Sequence, residues 1–340
     1  TVVKGEASFV DRRTIAVNGA RYQGRNVMIA TGSSPIRPPI PGADLRHVVT
    51  SSEIFDMTAL PKDIVVVGGG VIGMEFACFF NAVDVNVTVI ELLPEILPPY
   101  DPELAKGLRR ALKGVTCKLG CKVVEITEKS VRFEEDGEIK AVPADMVLMS
   151  VGRSPNVKGL GLEAIGMDFD RGGIKANDKL ETNVPNVYAV GDVNGKSLLA
   201  HSASRMGEVV VNNLTGRPDR MRYNAIPYVV YTFPDVAAAG LTEEEAQLRG
   251  IKTKSFKLPM AANGRHLGEH VRPVGFTKVV VDAESGMLLG VHMLGTYAAE
   301  LITTAVAMIE SELRVDDIRD IVFPHPTVSE VMREAVWMID

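Results

Sequence analysis

Near its C-terminal end the chain reads FPHPTVSE, residues 323–330, with His325 between Pro324 and Pro326 and Glu330 five residues after the histidine. Proline fixes its own φ and disfavours helix at the residue before it. This spacing therefore predicts an imidazole on a stiff loop, with a carboxylate at the mouth of the apolar helix that follows. A held imidazole with an acid in reach is the arrangement of an oriented general base. The competing reading of these eight residues is a solvated loop histidine beside a helix start.

A second group is made of backbone. Gly68, Gly70 and Gly73 form G-x-G-x-x-G directly after the apolar run Ile64–Val67 and at the start of a predicted helix. The first glycine permits a tight turn, the second lets a pyrophosphate approach the backbone, and the third lets helix and strand pack closely; the helix N-terminus then offers unpaired N–H groups to phosphate. Glu91, ending the next apolar strand VNVTVIE, is the acid expected on a ribose 2′-hydroxyl. No Arg or Lys stands at Leu92–Glu95, where a 2′-phosphate would need one, so NAD is favoured over NADP. Asp192 follows the buried-strand pattern NVYAVG. An acid there serves either a sugar-like hydroxyl or a local turn and cap.

The elements that must position these groups follow from periodicity. The glycine turn lies between two short apolar strands, the opening of a parallel nucleotide-binding sheet. A proline-bounded stretch, residues 93–102, leads to a predicted helix over 102–113, then to the alternating strands VVEIT and SVRFEE, a turn at Asp136–Gly137 and the return strand ADMVLMSVG. The segments MIATGSSP (28–35) and LMSVGRSP (148–155) echo one another, each after a hairpin-like stretch, the first with Asn18–Gly19 at its turn. Two copies of one end-of-domain device suggest two related nucleotide-binding domains. A helix over about 200–214 follows Asp192, and after GRPDR several strands and then apolar helices, 298–311 among them, read as an α+β domain with more apolar helix than its sheet needs.

Composition narrows the partners. With 340 residues, 46% hydrophobic and 24% charged, the chain can bury two or three cores, and its net charge of −6 gives no basic face for nucleic acid or an anionic membrane. No apolar run reaches about 18 residues, the length of a membrane span. Three cysteines are too few for a disulfide framework and fit a reducing compartment. Cys117 and Cys121 lack the further ligands a metal site needs, and Cys78 reads as core.

Taken together, GGGVIGMEFA, SVGRSPN, NVYAVGDV with LLAHSA, AANGR and HPTVSE stand in the order found in the dihydrolipoamide dehydrogenases, within the flavin-dependent pyridine nucleotide–disulfide oxidoreductases, and the resemblance covers essentially the whole chain. It implies a Rossmann-like α/β NAD domain inserted in a partial FAD domain, followed by an α+β dimerisation domain. The boundaries expected are 1–60 and 183–218 for FAD, 61–182 for NAD and 219–340 for the interface. It implies that Val71, Ile72, Glu75 and Gly152 join the glycines and Glu91 around NAD. Thr31, Gly32, Ser33, Asp192, Leu198, Leu199, Ala200 and His201 would hold FAD, with the helix from His201 aiming its positive end at the flavin. His325, held by Glu330, would take a proton from a dihydrolipoyl thiol beside the redox disulfide of the opposite subunit of a homodimer.

The implied reaction is oxidation of protein-bound dihydrolipoamide with NAD, the substrate arriving on a lipoyl domain of a 2-oxoacid dehydrogenase or glycine cleavage complex. The implied location is the cytoplasm, or the mitochondrial matrix in a eukaryote. Two family features are missing from these residues: an FAD-binding glycine motif and a CxxxxC pair. A truncated chain, inactive alone, is therefore expected. The alternatives are a non-catalytic NAD-binding and dimerisation module, or another disulfide reductase of the family.

Overall fold

A computed structural model describes residues 1–98 and 100–339; Pro99, in the proline-bounded stretch, and the terminal Asp340 lie outside the described residues. The chain divides into two compact units, one made of Thr1–Ile36 with Arg153–Tyr223 and the other of Arg37–Gly152 with Asn224 onward.

The first unit opens with an antiparallel three-stranded sheet, Ala7–Asp11, Thr14–Val17 and Ala20–Gln23. Its predicted turn has positive φ at Asn18 and Gly19, the geometry that matches strand twist in a two-residue hairpin. Val27–Ile29 then pairs in parallel with Val187–Ala189, and Phe9, Ile29, Leu162, Ile174 and Val193 close the core beneath them. The two echoed segments meet here. Ser33–Pro35 pairs antiparallel with Arg153–Pro155, and the glycine before each strand, Gly32 and Gly152, has positive φ. The 15-residue helix Ala200–Leu214 has the extent predicted and buries Met206, Val209 and Val210.

In the second unit a five-stranded parallel sheet runs in the order Val48–Thr50, Met146–Met149, Asp63–Val67, Asn86–Ile90, Val115–Lys118. Ile64 to Val67 and Val87, Val89 and Ile90 are all but fully buried, as unbroken apolar runs in a parallel sheet require. The helix Val71–Ala82 buries Met74, Ala77 and Phe80 in the same core as Val87 and Val89. The hairpin Lys122–Ile126, Ser130–Glu135, Glu138–Pro143 turns at Asp136–Gly137 as expected. The helix expected over 102–113 ends at Ala111, because Leu112 leaves helical geometry ahead of Gly114.

The remainder of this unit is a five-stranded antiparallel sheet, Tyr228–Val230, Val236–Gly240, Leu288–Leu294, Phe276–Asp282, Thr253–Pro259. Helix Ala298–Glu310 packs Ile302, Ala305 and Met308 into one core with Val291 and Met293, and helix Glu330–Trp337 adds Val331, Met332, Ala335 and Val336. Each of the buried Val, Ile and Met side chains contributes about 1.5–3 kcal/mol. Lys278, almost fully buried, bonds Asp101 at 2.9 Å, Glu103 at 3.0 Å and Glu243 at 2.5 Å. Burial alone would lower its pKa; the three carboxylates outweigh burial and raise it.

The limits of the compact units follow from packing. Residues 37–60 lie with the parallel sheet, whose edge is Val48–Thr50, and residues 153–223 lie with residues 1–36. Arg153–Pro155 pairs with Ser33–Pro35, while Leu162 and Ile174 complete the core around Phe9 and Ile29.

Candidate functional site

Three clusters gather the residues singled out by sequence. In the first, Gly68 has φ +103°, and a Cβ there would lie 2.5 Å from the Ser150 carbonyl oxygen, so only glycine fits the turn. A Cβ at Gly73 would lie 2.1 Å from the Gly68 carbonyl oxygen, which shows how closely helix and turn approach. At Gly70 a Cβ would meet nothing; this residue caps the helix Val71–Ala82 without any side-chain hydrogen bond. Open space over an uncapped N-terminus fits a pyrophosphate. Val71 and Ile72 form the start of that helix, half-buried. Ser150, the first residue of SVGRSPN and not among the site residues expected from sequence, donates to the carbonyls of Val67 and Gly68 at 3.0 and 2.9 Å and locks the turn to the neighbouring strand. Gly152, exposed, follows two residues later with φ +113°.

Glu91 is 8% exposed. Its Oε2 accepts the Gly69 N–H at 2.6 Å and its Oε1 the Leu93 N–H at 2.8 Å. A carboxylate offers about four acceptor sites, so the two that remain fit ribose hydroxyls. The cation Arg109, on the helix after this strand, is committed to Glu95 by two bonds of 2.8 Å. Glu75, half-buried on the same helix as Val71, accepts the Tyr231 N–H at 3.0 Å, and burial raises its pKa.

In the second cluster Asp192 is not spent on a local cap. Its Oδ2 accepts the Ser33 hydroxyl at 2.5 Å across 159 residues, and Arg153 donates through Nε to Ser33 Oγ and through a terminal nitrogen to the Ser33 carbonyl, both at 2.7 Å. Thr31 and Asn156 exchange side-chain to main-chain bonds of 2.8 and 2.9 Å beside them. Sequence reasoning missed Arg153 and Asn156 as site residues, although both lie in the motif SVGRSPN. Leu199 caps the helix Ala200–Leu214 without a side-chain bond, and Leu198 and His201 are exposed around that N-terminus, with Ala200 between them. A carboxylate and hydroxyls set beside Gly32, with a helix N-terminus that lacks a side-chain cap in the same unit, fit the polar arm and the electron-accepting ring of a flavin dinucleotide.

The third cluster is the histidine loop. His325 Nδ1 lies 3.0 and 3.2 Å from the two oxygens of Glu330, the first residue of its helix. The imidazole is 81% exposed and the carboxylate 19%. Glu330 also accepts the Thr327 N–H at 2.9 Å; that bond first, and His325 second, hold its carboxyl below the usual range against the opposing effect of burial. With Nδ1 occupied, Nε2 is the atom left to exchange a proton. Thr327 Oγ1 donates to the Pro324 carbonyl at 2.7 Å, closing the loop on itself.

The cysteines stand apart from this chemistry. Burial raises all three thiols, Cys117 to about 11. No group of three or more His, Cys, Asp or Glu that could hold a metal ion occurs among the described residues, and no helix there is long and apolar enough to cross a membrane. A cavity of about 500 Å³ lined by Glu103, Lys106, Arg110, Lys257 and Phe276 contains none of the candidate residues.

Residues 1–207 match the family described as pyridine nucleotide-disulphide oxidoreductase, and residues 226–336 match its dimerisation domain. The chain is 37% identical over 328 residues to dihydrolipoyl dehydrogenase 3 of Pseudomonas putida, a match covering 94% of this chain and 70% of that protein. It is 38% identical over 350 residues to dihydrolipoyl dehydrogenase of Thermus scotoductus, covering 98% and 74%. Among solved structures, the HOCl-induced flavoprotein disulfide reductase RclA of Escherichia coli superposes with a TM-score of 0.90 at 28% identity, covering 100% of this chain and 80% of that one.

Proposed function

The chain belongs to the pyridine nucleotide-disulphide oxidoreductase family, and from that premise we propose that it oxidises protein-bound dihydrolipoamide with NAD, His325 acting as general base. Family membership makes it an oxidoreductase using FAD and NAD(H), and its dimerisation domain supports a homodimer. The substrate reading draws on the relatives named dihydrolipoyl dehydrogenase. The observation that carries the mechanism is the 3.0 Å contact between His325 Nδ1 and Glu330.

Closing the lipoyl S–S bond removes two electrons and two protons from the dithiol; NAD takes up a hydride, and one proton is released. His325 Nε2 accepts the first thiol proton, producing the thiolate that attacks a disulfide of the partner subunit. Glu330 keeps the proton of the neutral ring on Nδ1 and stabilises the imidazolium that forms. FAD, when bound, supplies the two-electron relay between sulfur and nicotinamide.

Around FAD we place Thr31, Gly32, Ser33, Asp192 and the segment 198–201, and around NAD the turn Gly68–Gly73, Glu75, Glu91 and Gly152. Three raised thiols make poor partners for this exchange. The reading therefore calls for a sulfur pair outside these residues, and the chain by itself should not turn over. The lipoyl domain of a cytoplasmic 2-oxoacid dehydrogenase or glycine cleavage complex is the partner it fits.

The test uses the protein that carries this sequence together with its sulfur pair. NADH formation from dihydrolipoamide and NAD is expected, without comparable glutathione disulfide reduction by NADPH. The reverse preference would overturn the substrate, and intact dithiol turnover in His325→Gln would overturn the base.

A further inference from the structure

We infer that Asn263 is a positioning residue for the His325–Glu330 pair, acting through Thr327. The inference rests on the reading of His325 as the base. Asn263 is 1% exposed, and its side chain bonds both the helix that follows it and the histidine loop. Its Oδ1 accepts the His266 N–H at 2.9 Å, capping the helix Gly264–Glu269. Its Nδ2 donates to the Thr327 carbonyl at 3.1 Å, across 64 residues. The same amide lowers the pKa of Glu334, which stands one helical turn after Glu330.

Thr327 is the pivot between this amide and the reacting group. Its carbonyl is held by Asn263, and its N–H donates to Glu330 Oε2. These two groups belong to the peptide planes on either side of one Cα, so fixing the first limits how far the second can swing. Glu330 in turn holds His325. A buried donor thus sets, in three successive contacts, the direction in which an exposed imidazole points. Burial is what makes the first contact selective: without Asn263 the Thr327 carbonyl loses this donor, and the loop gains a reason to move toward water.

Glu334 adds a second effect. Burial first, and the Glu330 charge second, raise its pKa, and the Asn263 amide opposes both. Arg333 and His325 also face this pair of carboxylates and lower Glu334 in the same sense as the amide. Asn263 therefore offsets part of the cost of keeping two acids charged four residues apart on one helix, one of which holds His325.

Asn263→Ser tests the assignment cleanly, because serine keeps a cap for the helix Gly264–Glu269 but lacks the amide donors. In the protein carrying this sequence and its sulfur pair, dihydrolipoamide turnover should fall about tenfold, while NADH oxidation by an artificial acceptor stays within about twofold. By ¹⁵N NMR, the fraction of neutral His325 carrying its proton on Nδ1 should decrease. Unchanged turnover with an unchanged tautomer would overturn the role of Asn263. Intact turnover in His325→Gln would instead remove the base assignment, and the tautomer measurement would still decide the Asn263 contact by itself. Should Asn263→Ser fail to fold, hydrogen exchange in the unaltered protein decides. Protection of the Asn263 side-chain amide and the Thr327 N–H supports the clamp, and exchange at open-loop rates overturns it.

Discussion

The glycine turn and the histidine loop do their work by opposite means. The turn at residues 68–73 is made of main chain, and its shape follows from the absence of side chains at Gly68 and Gly73, with open space over Gly70. The loop at residues 323–330 is made of side chains, and its shape follows from bonds running from Glu330 to Thr327 and from Thr327 to Asn263. A surface of main-chain N–H groups suits a ligand that must be held in nearly the same way throughout a reaction. A hydrogen-bonded side-chain relay suits a group that must change protonation state during it. Binding and proton transfer thus ask for different materials, and each should fail in its own way.

The largest expected effect breaks the loop alone. Removing a positioned general base costs about 10²–10⁴-fold. His325→Gln should reduce dithiol oxidation by that order and leave NADH oxidation by an artificial acceptor nearly unaltered, measured by steady-state kinetics with each acceptor. Equal losses in both assays would mean that the two regions are not separable.

The next effect breaks the turn alone. In Gly73→Ala the new methyl would lie 2.1 Å from the Gly68 carbonyl oxygen and 2.7 Å from Ser150 Oγ, so the helix must back away from the strand. Overpacking of this kind costs about 1–3 kcal/mol. A lower melting temperature and an NAD affinity weakened by about tenfold or more are expected, read by thermal unfolding and by titration with NAD. An undisturbed NAD affinity would show that the close approach at Gly73 is a packing feature only.

The two regions also differ in how far sequence reveals them. The turn was legible because its glycines, the strand before it and Glu91 at the end of the next strand lie within one short βαβ unit, where each residue's job follows from local sterics. His325 and Glu330 were legible as a pair for a related reason, since two prolines and a helix start constrain five residues of chain. Asn263 and Arg153 were not. Their roles come from contacts spanning 64 and 120 residues, and no periodicity or spacing in the chain encodes which carbonyl a distant amide or guanidinium will meet. The limits of the compact units were hidden for the same reason. A three-residue edge strand such as Val48–Thr50 is too short to carry a pattern, and its allegiance is set by pairing with Met146–Met149.

A smaller effect sharpens the turn's account. Glu91→Ala removes the acceptor for the Gly69 and Leu93 N–H groups as well as the proposed ribose contact. Hydrogen bonds to a charged group are worth about 1.5–3 kcal/mol each. A loss in NAD affinity of about tenfold is expected, with the flavin spectrum unchanged. An NAD affinity equal to that of the parent would confine Glu91 to bracing the turn.

The smallest effect concerns acid, and the two regions should respond with opposite sign. Burial raises Glu75, on the helix that follows the glycine turn, so that carboxyl takes up its proton above the ordinary glutamate value of about 4.3. A raised acid is less costly to the fold once protonated, so its contribution improves as pH falls through its folded pKa. Glu330 is lowered, chiefly by the Thr327 N–H and then by His325, against burial. Its stabilising contribution is present above the unfolded value and is lost only as pH falls through the lower folded one. On acidification the Tyr231 amide, bonded to Glu75, should therefore shift first in an NMR titration, and the Thr327 amide, bonded to Glu330, last. A Thr327 midpoint at or above that of Tyr231 would mean that the loop carboxylate is not gripped as the geometry requires. The contrast between a ligand-holding turn of main chain and a gripped side-chain relay would then lose its second half.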